Sequence, residues 1–330
     1  MKHNTIEKIG LEVPSLTFGG ASIANLFLNL SNTQANDTVE AAIKAGFRYF
    51  DTAPHYGAGL SELRLGLGLR ALSRGEYILS TKVGRLLAPR EEGLEAGEFF
   101  HEENPFNRVY DYTYEGIMTS FEHSVQRLGT RYIDLLHVHD LGTYTHGETD
   151  AERKHFNDFI TSGVFALEEL KAKGLIKGYG LGANEEQIFL ELFEAGFRPD
   201  VVMLANRYNL LEPNREEFFA ACRQHQVSVA VAAPFATGVL VAGVKKASSL
   251  YEYGQVPESV VKKVEAIESI CKRHSVPIGA VALQFPLRNP SVVTVTCGVA
   301  TPEQAQMNMQ WASMSIPDAV WADLAEIGIK

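Results

Sequence analysis

Residues 50–57 read Phe50-Asp51-Thr52-Ala53-Pro54-His55-Tyr56-Gly57, and they place a carboxylate and a phenol five residues apart at the end of an apolar run. A short apolar run that ends in turn residues is typical of a buried β-strand. An acid and a tyrosine at a strand end indicate proton transfer. Asp51 and Thr52 before Pro54 could also be an ordinary turn that ends a strand. The rest of the chain has to decide between the two interpretations.

A second apolar run, residues 78–83, carries one lysine, Lys82, near its C-terminal end. A tyrosine is normally protonated below a pKa of about 10, so its use near neutral pH requires a shift of about 3 units. A buried cation shifts the pKa in that direction. Lys82 is the candidate for this cation, with Asp51 as its counter-ion, although a lone strand lysine is more often a surface residue.

A third run, residues 133–140, contains two histidines, His137 and His139. Strand side chains alternate with a period of two, so both lie on one face. Either could orient a substrate oxygen, although a lone histidine on an apolar face is more often a core residue. In a barrel of alternating strands and helices the C-terminal strand ends meet at one mouth, which would bring all of these side chains together.

The chain contains eight strand–helix units, which is the number that a closed parallel barrel requires. Its 330 residues, 45% of them hydrophobic and 21% charged, fit a single α/β barrel. We therefore predict an α/β fold, a (β/α)8 TIM barrel that forms one domain over residues 1–330. The predicted strands are residues 16–18, 48–51, 77–83, 132–139, 178–182, 201–204, 227–232 and 292–296. The predicted helices are residues 37–45, 61–70, 114–127, 165–173, 185–194, 214–225 and 259–274, followed by a helix with Thr301 as N-cap and Pro302 at its first position.

Three further segments extend this barrel. Residues 6–17, interrupted by Gly10 and Pro14, predict an N-terminal β-hairpin that covers the barrel bottom. Residues 85–113 and 141–161 are long mouth loops. Long loops at a barrel mouth usually bind or cover the substrate, so we expect that role here.

Charge and cysteine content exclude several classes of partner. A net charge of −10 without a basic cluster argues against nucleic acid and against anionic membranes. Three cysteines without metal-ligand spacing suit a reducing compartment, and we expect no metal site. The N-terminus lacks an apolar signal core, and no run of 18 apolar residues occurs. We expect a cytoplasmic protein that acts on a small molecule; the sequence leaves its oligomeric state open.

Residues 46–57, Gly-Phe-Arg-Tyr-Phe-Asp-Thr-Ala-Pro-His-Tyr-Gly, followed by Ser61-Glu62, resemble the signature of the aldo-keto reductases, and the similarity extends over essentially the whole chain. The resemblance implies an NAD(P)-dependent oxidoreductase on a (β/α)8 barrel. It also implies a catalytic tetrad, here Asp51, Tyr56, Lys82 and a histidine. The family's histidine follows the aspartate of its strand motif by five residues, which selects His139 after Asp134. His137 is then a core residue.

Residues 24–27, 56–62, 111–116 and 131–135 resemble the branch of the family that oxidises free aldoses such as L-fucose, together with related pyridoxal dehydrogenases. The resemblance implies that a hydride leaves the anomeric carbon of a cyclic sugar while Tyr56 takes the hydroxyl proton, and that the product is a lactone. His139 would hydrogen-bond the reacting oxygen. His55, beside Tyr56, could also touch the substrate.

The resemblance also suggests which cofactor is used. In the family a lysine, a serine and an arginine hold the 2′-phosphate of NADP, and the corresponding positions here are Gly298, Val299 and Gln304, with Asn308 near the adenine. A phosphate without cationic partners loses its charge-assisted hydrogen bonds. NAD is therefore favoured over NADP, and binding of NADP through other residues is the alternative.

The remaining cofactor contacts follow from the same resemblance. Gly20, Ala21, Asp51 and Asn184 would meet the nicotinamide end, with the Asn184 amide on the carboxamide. A loop with Phe235, Thr237, Gly238 and Leu240 would follow the pyrophosphate. The family's serine, glutamine and stacking tyrosine are replaced here by Ala183, Ala205 and Ala232, and Phe235 is a candidate for the lost stacking surface.

Other functions remain open at this point. A non-catalytic subunit would share the fold and the cofactor site. A metal-dependent hydrolase is suggested by His137 and His139, although that arrangement normally lies on the first barrel strand rather than the fourth. A pyridoxal dehydrogenase or a reductase of small aldehydes is the nearest alternative.

Overall fold

The structure is a computed structural model that describes residues 2–91, 99–243, 251 and 254–330. Twelve strands occur in these residues. They are β1 (His3–Ile6), β2 (Leu11–Pro14), β3 (Leu16–Gly19), β4 (Tyr49–Asp51), β5 (Ile78–Val83), β6 (Arg85–Pro89), β7 (Phe106–Tyr110), β8 (Ile133–His139), β9 (Ile176–Ala183), β10 (Val201–Ala205), β11 (Ser228–Ala232) and β12 (Val292–Gly298).

Eight of these strands close a parallel barrel in the order β3, β4, β5, β8, β9, β10, β11 and β12, with β12 paired to β3. The predicted α/β barrel is therefore confirmed. The predicted barrel strands agree with the observed ones to within a few residues. Because the strands are parallel, their C-terminal ends all open at one mouth.

The helices of the described residues lie outside the barrel or at its mouth. They are α1 (Asn32–Ala45), α2 (Leu60–Leu69), α3 (Tyr114–Leu128), α4 (Thr143–His146), α5 (Asp150–Asp158), α6 (Val164–Ala172), α7 (Gln187–Glu194), α8 (Glu216–Gln224), α9 (Val239–Ala242), α10 (Glu258–Arg273), α11 (Ile278–Gln284), α12 (Pro302–Ser313) and α13 (Asp318–Glu326). A π-helical turn, Phe159–Gly163, joins α5 to α6. None of these helices is long and apolar enough to cross a membrane.

Capping residues decide where two of the helices begin. Ser31 and Gln34 form a reciprocal capping box, so α1 begins five residues before the predicted start. Thr301 accepts a hydrogen bond from the Gln304 amide, and Pro302 is the first residue of α12, as predicted. Helices α11 and α13 were not predicted.

The N-terminal hairpin is formed by β1 and β2, which pair in antiparallel fashion. Ile6 and Val13 are fully buried against side chains that fill the bottom of the barrel, such as Tyr49 and Leu135. The hairpin thus seals the N-terminal end of the barrel, as predicted. It ends at Pro14, earlier than the predicted boundary, because residues from Leu16 onward belong to β3.

The two mouth segments have more structure than plain loops. Residues 85–113 contain the antiparallel hairpin β6–β7, and residues 92–98 lie outside the described residues. Residues 141–161 contain α4 and α5, the latter capped by the Thr149 hydroxyl. The two long mouth segments were predicted, but the hairpin within the first was not, because β6 and β7 are joined by a long connection without the two-residue turn that marks a hairpin in sequence.

Candidate active site

Three side chains that the sequence singled out meet at the ends of β4 and β5. The Lys82 Nζ lies 2.8 Å from Asp51 Oδ2, 3.0 Å from the Thr52 carbonyl oxygen and 3.3 Å from the Tyr56 hydroxyl. Ser80 donates a hydrogen bond of 2.6 Å to the second oxygen of Asp51. The Lys82 ammonium is therefore fixed between a carboxylate and a phenol, away from solvent.

The turn between β4 and α2 places Tyr56 over Lys82. Gly57 has a φ of +59°, and a Cβ at this position would lie 2.8 Å from the Ala24 carbonyl oxygen, so only glycine fits without strain. The Ser61 hydroxyl donates to the Gly20 carbonyl oxygen at 2.8 Å and accepts from Thr52 at 2.7 Å. These bonds tie the ends of β3 and β4 to the start of α2, which makes Ser61 of the signature a structural residue.

His139 ends β8 and faces Tyr56 across the mouth. The two rings lie 5.9 Å apart and perpendicular, and His55 packs 5.7 Å from His139. Within the described part of the chain, His139 Nδ1 is buried without a hydrogen-bond partner. Burial first, and then the cations Arg85 and Lys82, hold the pKa of His139 well below its ordinary value. His139 is therefore a neutral imidazole.

His137 lies deeper in the barrel, on the strand position that pairs with Lys82. Burial and the nearby Lys82 cation lower the pKa of His137 to about 3, so it also stays neutral. Its two ring nitrogens have no hydrogen-bond partner among the residues described. No group of three or more His, Cys, Asp or Glu side chains that could hold a metal occurs in the same residues.

The ionisation of Tyr56 differs from the simplest expectation. Burial raises the pKa of Tyr56, Lys82 opposes that rise, and the net direction is upward. For Lys82, burial acts against the cation, but Asp51 and Tyr56 outweigh it and the pKa lies above its ordinary value. The expected lowering of the tyrosine pKa was thus wrong in net direction, because desolvation outweighs the cation. Tyr56 is therefore a phenol at neutral pH.

A cavity of about 420 Å³ extends from these residues across the barrel mouth. His55, Tyr56, Lys82 and His139 line one end, beneath Phe99 and Phe100. Gly298 lies at the other end, where β12 leads into α12. The remaining lining residues are Gly19, Ala21, Ser22, Leu26, Asp51, Arg85, Asp140, Tyr144, Thr145, Gly182, Ala183, Asn184, Met203, Ala205, Asn206, Ala232, Ala233 and Thr296.

Three polar residues of this cavity were missed in the sequence. Arg85 Nη2 lies 2.5 Å from Asp140 Oδ2, and both side chains are buried. Asn206 donates a hydrogen bond of 2.9 Å to the Asn184 side-chain oxygen. Asn206 therefore places a side-chain amide beside Asn184, at the position after Ala205. The available signal was proximity in sequence, since Asp140 directly follows His139 and Arg85 follows the β5 strand.

The cavity has features that suit a dinucleotide. Asn184 presents its amide beside the tetrad, and the Thr296 hydroxyl is buried with no partner within the described ranges. A Cβ at Gly20 would lie 2.6 Å from the Ser61 hydroxyl, so the chain passes closely here, while Ala21 lines the cavity. Phe235 packs 6.1 Å from Trp311, so the predicted pyrophosphate loop contacts the C-terminal part of α12. The loop turns sharply, with φ values of +58° at Thr237 and +103° at Gly238.

Several predicted cofactor residues are turned inward. The side chains of Val299 and Leu240 are fully buried and have no surface toward the cavity. Asn308 is buried, and its amide donates to the Cys297 sulfur at 3.3 Å. Gln304 accepts a hydrogen bond from the Ala300 amide at 2.8 Å. The contacts of these residues with a cofactor remain predictions.

Comparison with known proteins places this geometry in a family. Residues 15–329 match the model of the Aldo/keto reductase family. The chain is 39% identical to the D-threo-aldose 1-dehydrogenase of a Pseudomonas species, over 96% of this chain and 94% of that protein. It is 38% identical to the pyridoxal 4-dehydrogenase of Microbacterium luteolum, over 98% and 96% of the two chains.

Solved structures agree with this relationship. The holo form of an aldo-keto reductase from Bacillus halodurans superposes with a TM-score of 0.77 at 25% identity, and the match covers 99% of this chain and 96% of that one. A glycerol dehydrogenase of Gluconobacter oxydans, at 18% identity and a TM-score of 0.76, shows the same fold. The chain therefore belongs to the aldo/keto reductase family and is a nicotinamide-dependent oxidoreductase.

Proposed function

We propose that this enzyme oxidises the anomeric carbon of a free aldose of the L-fucose or D-threo type to a lactone, with Tyr56 as the general acid/base. The observation that carries the proposal is the placement of Lys82 between Asp51 and Tyr56, at the cavity end where His139 faces the same phenol. The identity of 39% with a D-threo-aldose 1-dehydrogenase supports the choice of substrate class. The family match over residues 15–329 supports a single catalytic domain.

The proposed mechanism divides the two hydrogens of the substrate carbinol. A nicotinamide held at the Asn184 amide would supply the acceptor for the carbon-bound hydrogen, which leaves as a hydride. Tyr56 acts as the phenolate, which Lys82 stabilises; it takes the hydroxyl proton, becomes a phenol and then releases the proton to solvent. His139, neutral and 5.9 Å from Tyr56 between ring centres, hydrogen-bonds the same oxygen and fixes its position.

The raised pKa of Tyr56 sets the expected pH dependence of the two reaction directions. Oxidation needs the deprotonated tyrosine. The rate of oxidation should therefore rise as the pH increases toward the raised pKa of Tyr56. Reduction of an aldehyde needs the protonated form, which is present at neutral pH. The enzyme should therefore oxidise sugars best in alkaline solution.

For the cofactor we propose NAD in preference to NADP. Gly298 and Gln304 carry no charge, and Glu303 in the first turn of α12 adds a negative charge near the position where the family holds the 2′-phosphate. A dianionic phosphate there would lack cationic partners and meet a carboxylate. The cofactor contacts proposed for Asn184, Phe235, Thr237 and Gly238 apply equally to both cofactors. A cytoplasmic location stays a prediction.

Oxidation of pyridoxal is the second candidate. The phenyl ring of Phe100 lies 6.3 Å from the Tyr56 ring at an angle of 24°, which offers an aromatic face above the tetrad. A pyridine ring would stack on such a face, whereas a sugar would use it only as an apolar wall. The identity of 38% with a pyridoxal 4-dehydrogenase favours the same alternative.

A substrate panel tests the proposal. L-fucose, D-arabinose, L-galactose and pyridoxal are each offered with NAD and with NADP, and formation of reduced cofactor is followed by its absorbance. The proposal predicts the highest kcat/KM for an aldose with NAD. Tyr56→Phe is assayed in parallel, so that turnover by a contaminant is recognised. A preference for pyridoxal selects the second candidate, and the absence of turnover with the whole panel selects another substrate class or a non-catalytic subunit.

A further inference from the structure

A second buried ion pair faces the same cavity as the tetrad. Asp140 directly follows β8 and adopts a φ of +47°, which is uncommon for a residue other than glycine. Its backbone amide donates to the Gly182 carbonyl oxygen at 2.8 Å, and the Tyr112 hydroxyl contacts its carbonyl oxygen at 3.1 Å. Its carboxylate lies 2.5 Å from the Arg85 guanidinium. The fold therefore holds Asp140 in an unusual conformation that aims the carboxylate into the cavity.

The Asp140 carboxylate contacts two residues that the proposed reaction uses. Asp140 Oδ2 lies 3.4 Å from His139 Nε2, and Asp140 Oδ1 lies 3.5 Å from Asn184 Nδ2. Asn206 donates a hydrogen bond to the side-chain oxygen of Asn184. Asp140 is thus placed to order the histidine and the amide at the same time.

We propose that Asp140 is a positioning residue of the active site, whose carboxylate holds His139 as the tautomer that carries its proton on Nε2, while Arg85 holds the carboxylate in place. The assignment of His139 to the reacting oxygen rests on the proposed function. The tautomer of His139 does not rest on the proposed function, because it is a property of the protein alone.

The surroundings of the two ring nitrogens favour this tautomer. A neutral imidazole has one N–H group and one bare nitrogen. Nδ1 has no partner in the described part of the chain, so a proton there would be buried and unsatisfied, whereas Nε2 lies 3.4 Å from the Asp140 carboxylate, whose negative charge favours a proton on that nitrogen. A buried N–H group without an acceptor costs more free energy than a buried bare nitrogen without a donor. The Nε2–H tautomer should therefore be favoured over the Nδ1–H tautomer by about tenfold or more.

The tautomer matters because the two groups at the reacting oxygen need different roles. The substrate hydroxyl gives its proton to Tyr56, so a second bond to its oxygen has to come from a donor. Nε2–H is such a donor, because the 3.4 Å contact with Asp140 is an ion-pair distance that leaves the proton free for the substrate oxygen. A bare Nε2 would instead compete with Tyr56 for the hydroxyl proton. Asp140 thereby keeps His139 from acting as a second base.

The ion pair of Arg85 and Asp140 also affects the pKa of Tyr56. Asp51, Lys82 and Asp140 act on the ionisation of Tyr56, and Asp140 acts to raise the tyrosine pKa. His139, His55 and His137 around them have lowered pKa values and stay neutral, and Arg85 balances Asp140. Removing only the negative charge leaves the Arg85 cation uncompensated and stabilises the phenolate, which moves the pH profile of oxidation to lower pH.

Two substitutions of Asp140 distinguish the loss of its positioning contacts from the loss of its charge. Asp140→Ala removes both the acceptor and the charge. Asp140→Asn keeps the shape and an acceptor oxygen, and asparagine tolerates the left-handed conformation. Arg85→Met combined with Asp140→Ala leaves no uncompensated buried charge, so it serves as the variant that folds if Asp140→Ala alone does not.

The first measurement is the tautomer of His139 in protein labelled with ¹⁵N-histidine, read from the ring-nitrogen chemical shifts and assigned with His139→Gln. Wild type and Asp140→Asn should show the Nε2–H form. Asp140→Ala and the double variant should show a mixture of both tautomers. A wild-type Nδ1–H form, or a tautomer unchanged by Asp140→Ala and by the double variant, would overturn the proposal.

The second measurement is steady-state oxidation over a pH series with the best substrate of the panel. Asp140→Ala should lower kcat about tenfold with KM within about twofold, because geometry at the reacting oxygen is lost rather than binding. Asp140→Asn should retain kcat within about threefold and shift the profile to lower pH. A raised KM with an unchanged kcat and pH profile would show that Asp140 binds the substrate directly and would refute the positioning role. If wild type turns over nothing in the panel, the proposed function fails while the tautomer measurement still decides this inference.

Discussion

Two buried aspartates form ion pairs that differ in the exposure of the cation. Asp51 lies at the mouth of the barrel, and Asp134 lies near the N-terminal end of β8. Asp51 pairs with Lys82, and both side chains are 2% exposed. Asp134 is fully buried, but its partners Arg74 and Lys177 are 19% and 47% exposed and approach it at 2.5 and 2.6 Å from outside. The first cation is sealed in the cavity, and the other two remain in contact with water.

The difference in exposure explains the difference in role. A cation without water acts strongly on its neighbours, and the neighbour of Lys82 is the Tyr56 hydroxyl at 3.3 Å. Asp134 instead accepts the Leu79 backbone amide at 2.9 Å and thereby links β8 to the start of β5. Substitutions at the mouth should therefore change chemistry, and substitutions at the other end should change stability.

The largest effect is expected for Tyr56→Phe. Only the proton-transfer group is lost, so turnover should fall by a factor on the order of 10² to 10⁴ while NAD binding stays nearly intact. Tyr114→Phe is the control, because the same atom is removed from a hydroxyl that bonds Glu169 outside the cavity. Turnover and NAD affinity are measured for both variants. Retained activity in Tyr56→Phe would exclude Tyr56 as the acid/base.

Lys82→Met should have the next largest effect. Lys82 lowers the pKa of Tyr56 against the effect of burial, so its loss raises that pKa further and moves the pH profile of oxidation to higher pH. At neutral pH turnover should fall by about 10²-fold. Lys82→Met combined with Asp51→Asn, which leaves no unpaired carboxylate, should show the same direction of shift. An unchanged profile in active variants would contradict the pairing of Lys82 with Tyr56.

Asp134→Asn tests the other half of the comparison. It should lower the free energy of unfolding by about 2 kcal/mol, less than for a sealed ion pair because Arg74 and Lys177 can turn to water. The kcat of the folded enzyme should stay within about twofold of wild type. Urea unfolding measures the first quantity, and Asp158→Asn, which breaks a surface pair with Lys154 on α5, serves as the control with little change. A loss of activity without a loss of stability would show that Asp134 acts on the chemistry.

The smallest effect concerns the cofactor end of the cavity, at the end of β12 and the start of α12. Wild type should prefer NAD over NADP by about tenfold or more, since one charge-assisted contact is worth about 1.5 kcal/mol. Gln304→Arg, combined with Gly298→Lys, should lower the KM for NADP with little change in kcat. Gln306→Arg is the control. It adds the same charge two residues after Gln304, on a different face of α12, and should leave the KM for NADP unchanged. Equal use of both cofactors by wild type would mean that other residues bind the phosphate.

The tetrad could be predicted because three of its members lie at or near a strand end with a short-range signal, and Tyr56 follows Asp51 in the turn after β4. Asp51, Lys82 and His139 end or nearly end their strands, and their periodicity gives the face on which they lie. The structure brings Asp51, Lys82 and Tyr56 into direct contact, with His139 facing them, and leaves His137 in the core. The roles of all four remain predictions until they are measured.

The ion pair of Arg85 with Asp140 could not be predicted, because 55 residues separate its members and the strand β6 was not predicted within the long mouth loop. The burial of Val299, Leu240 and Asn308 was equally inaccessible, since sequence position alone does not show which way a side chain turns. The pKa of Tyr56 depended on a balance of burial against one cation, and only the depth of the site shows that burial outweighs the cation.

The sequence by itself determined the eight strand–helix units of the barrel, their order and the strand ends that carry reactive groups, because periodicity and caps are local properties of the chain. The tertiary structure decided which charges pair, which of them are sealed from water and which residues line the cavity. Those outcomes depend on distances and exposure that arise only when β3 and β12 meet and close the barrel. Desolvation is a property of the closed barrel, and it is what separates Lys82, fixed beside Tyr56, from Lys177, which is half exposed.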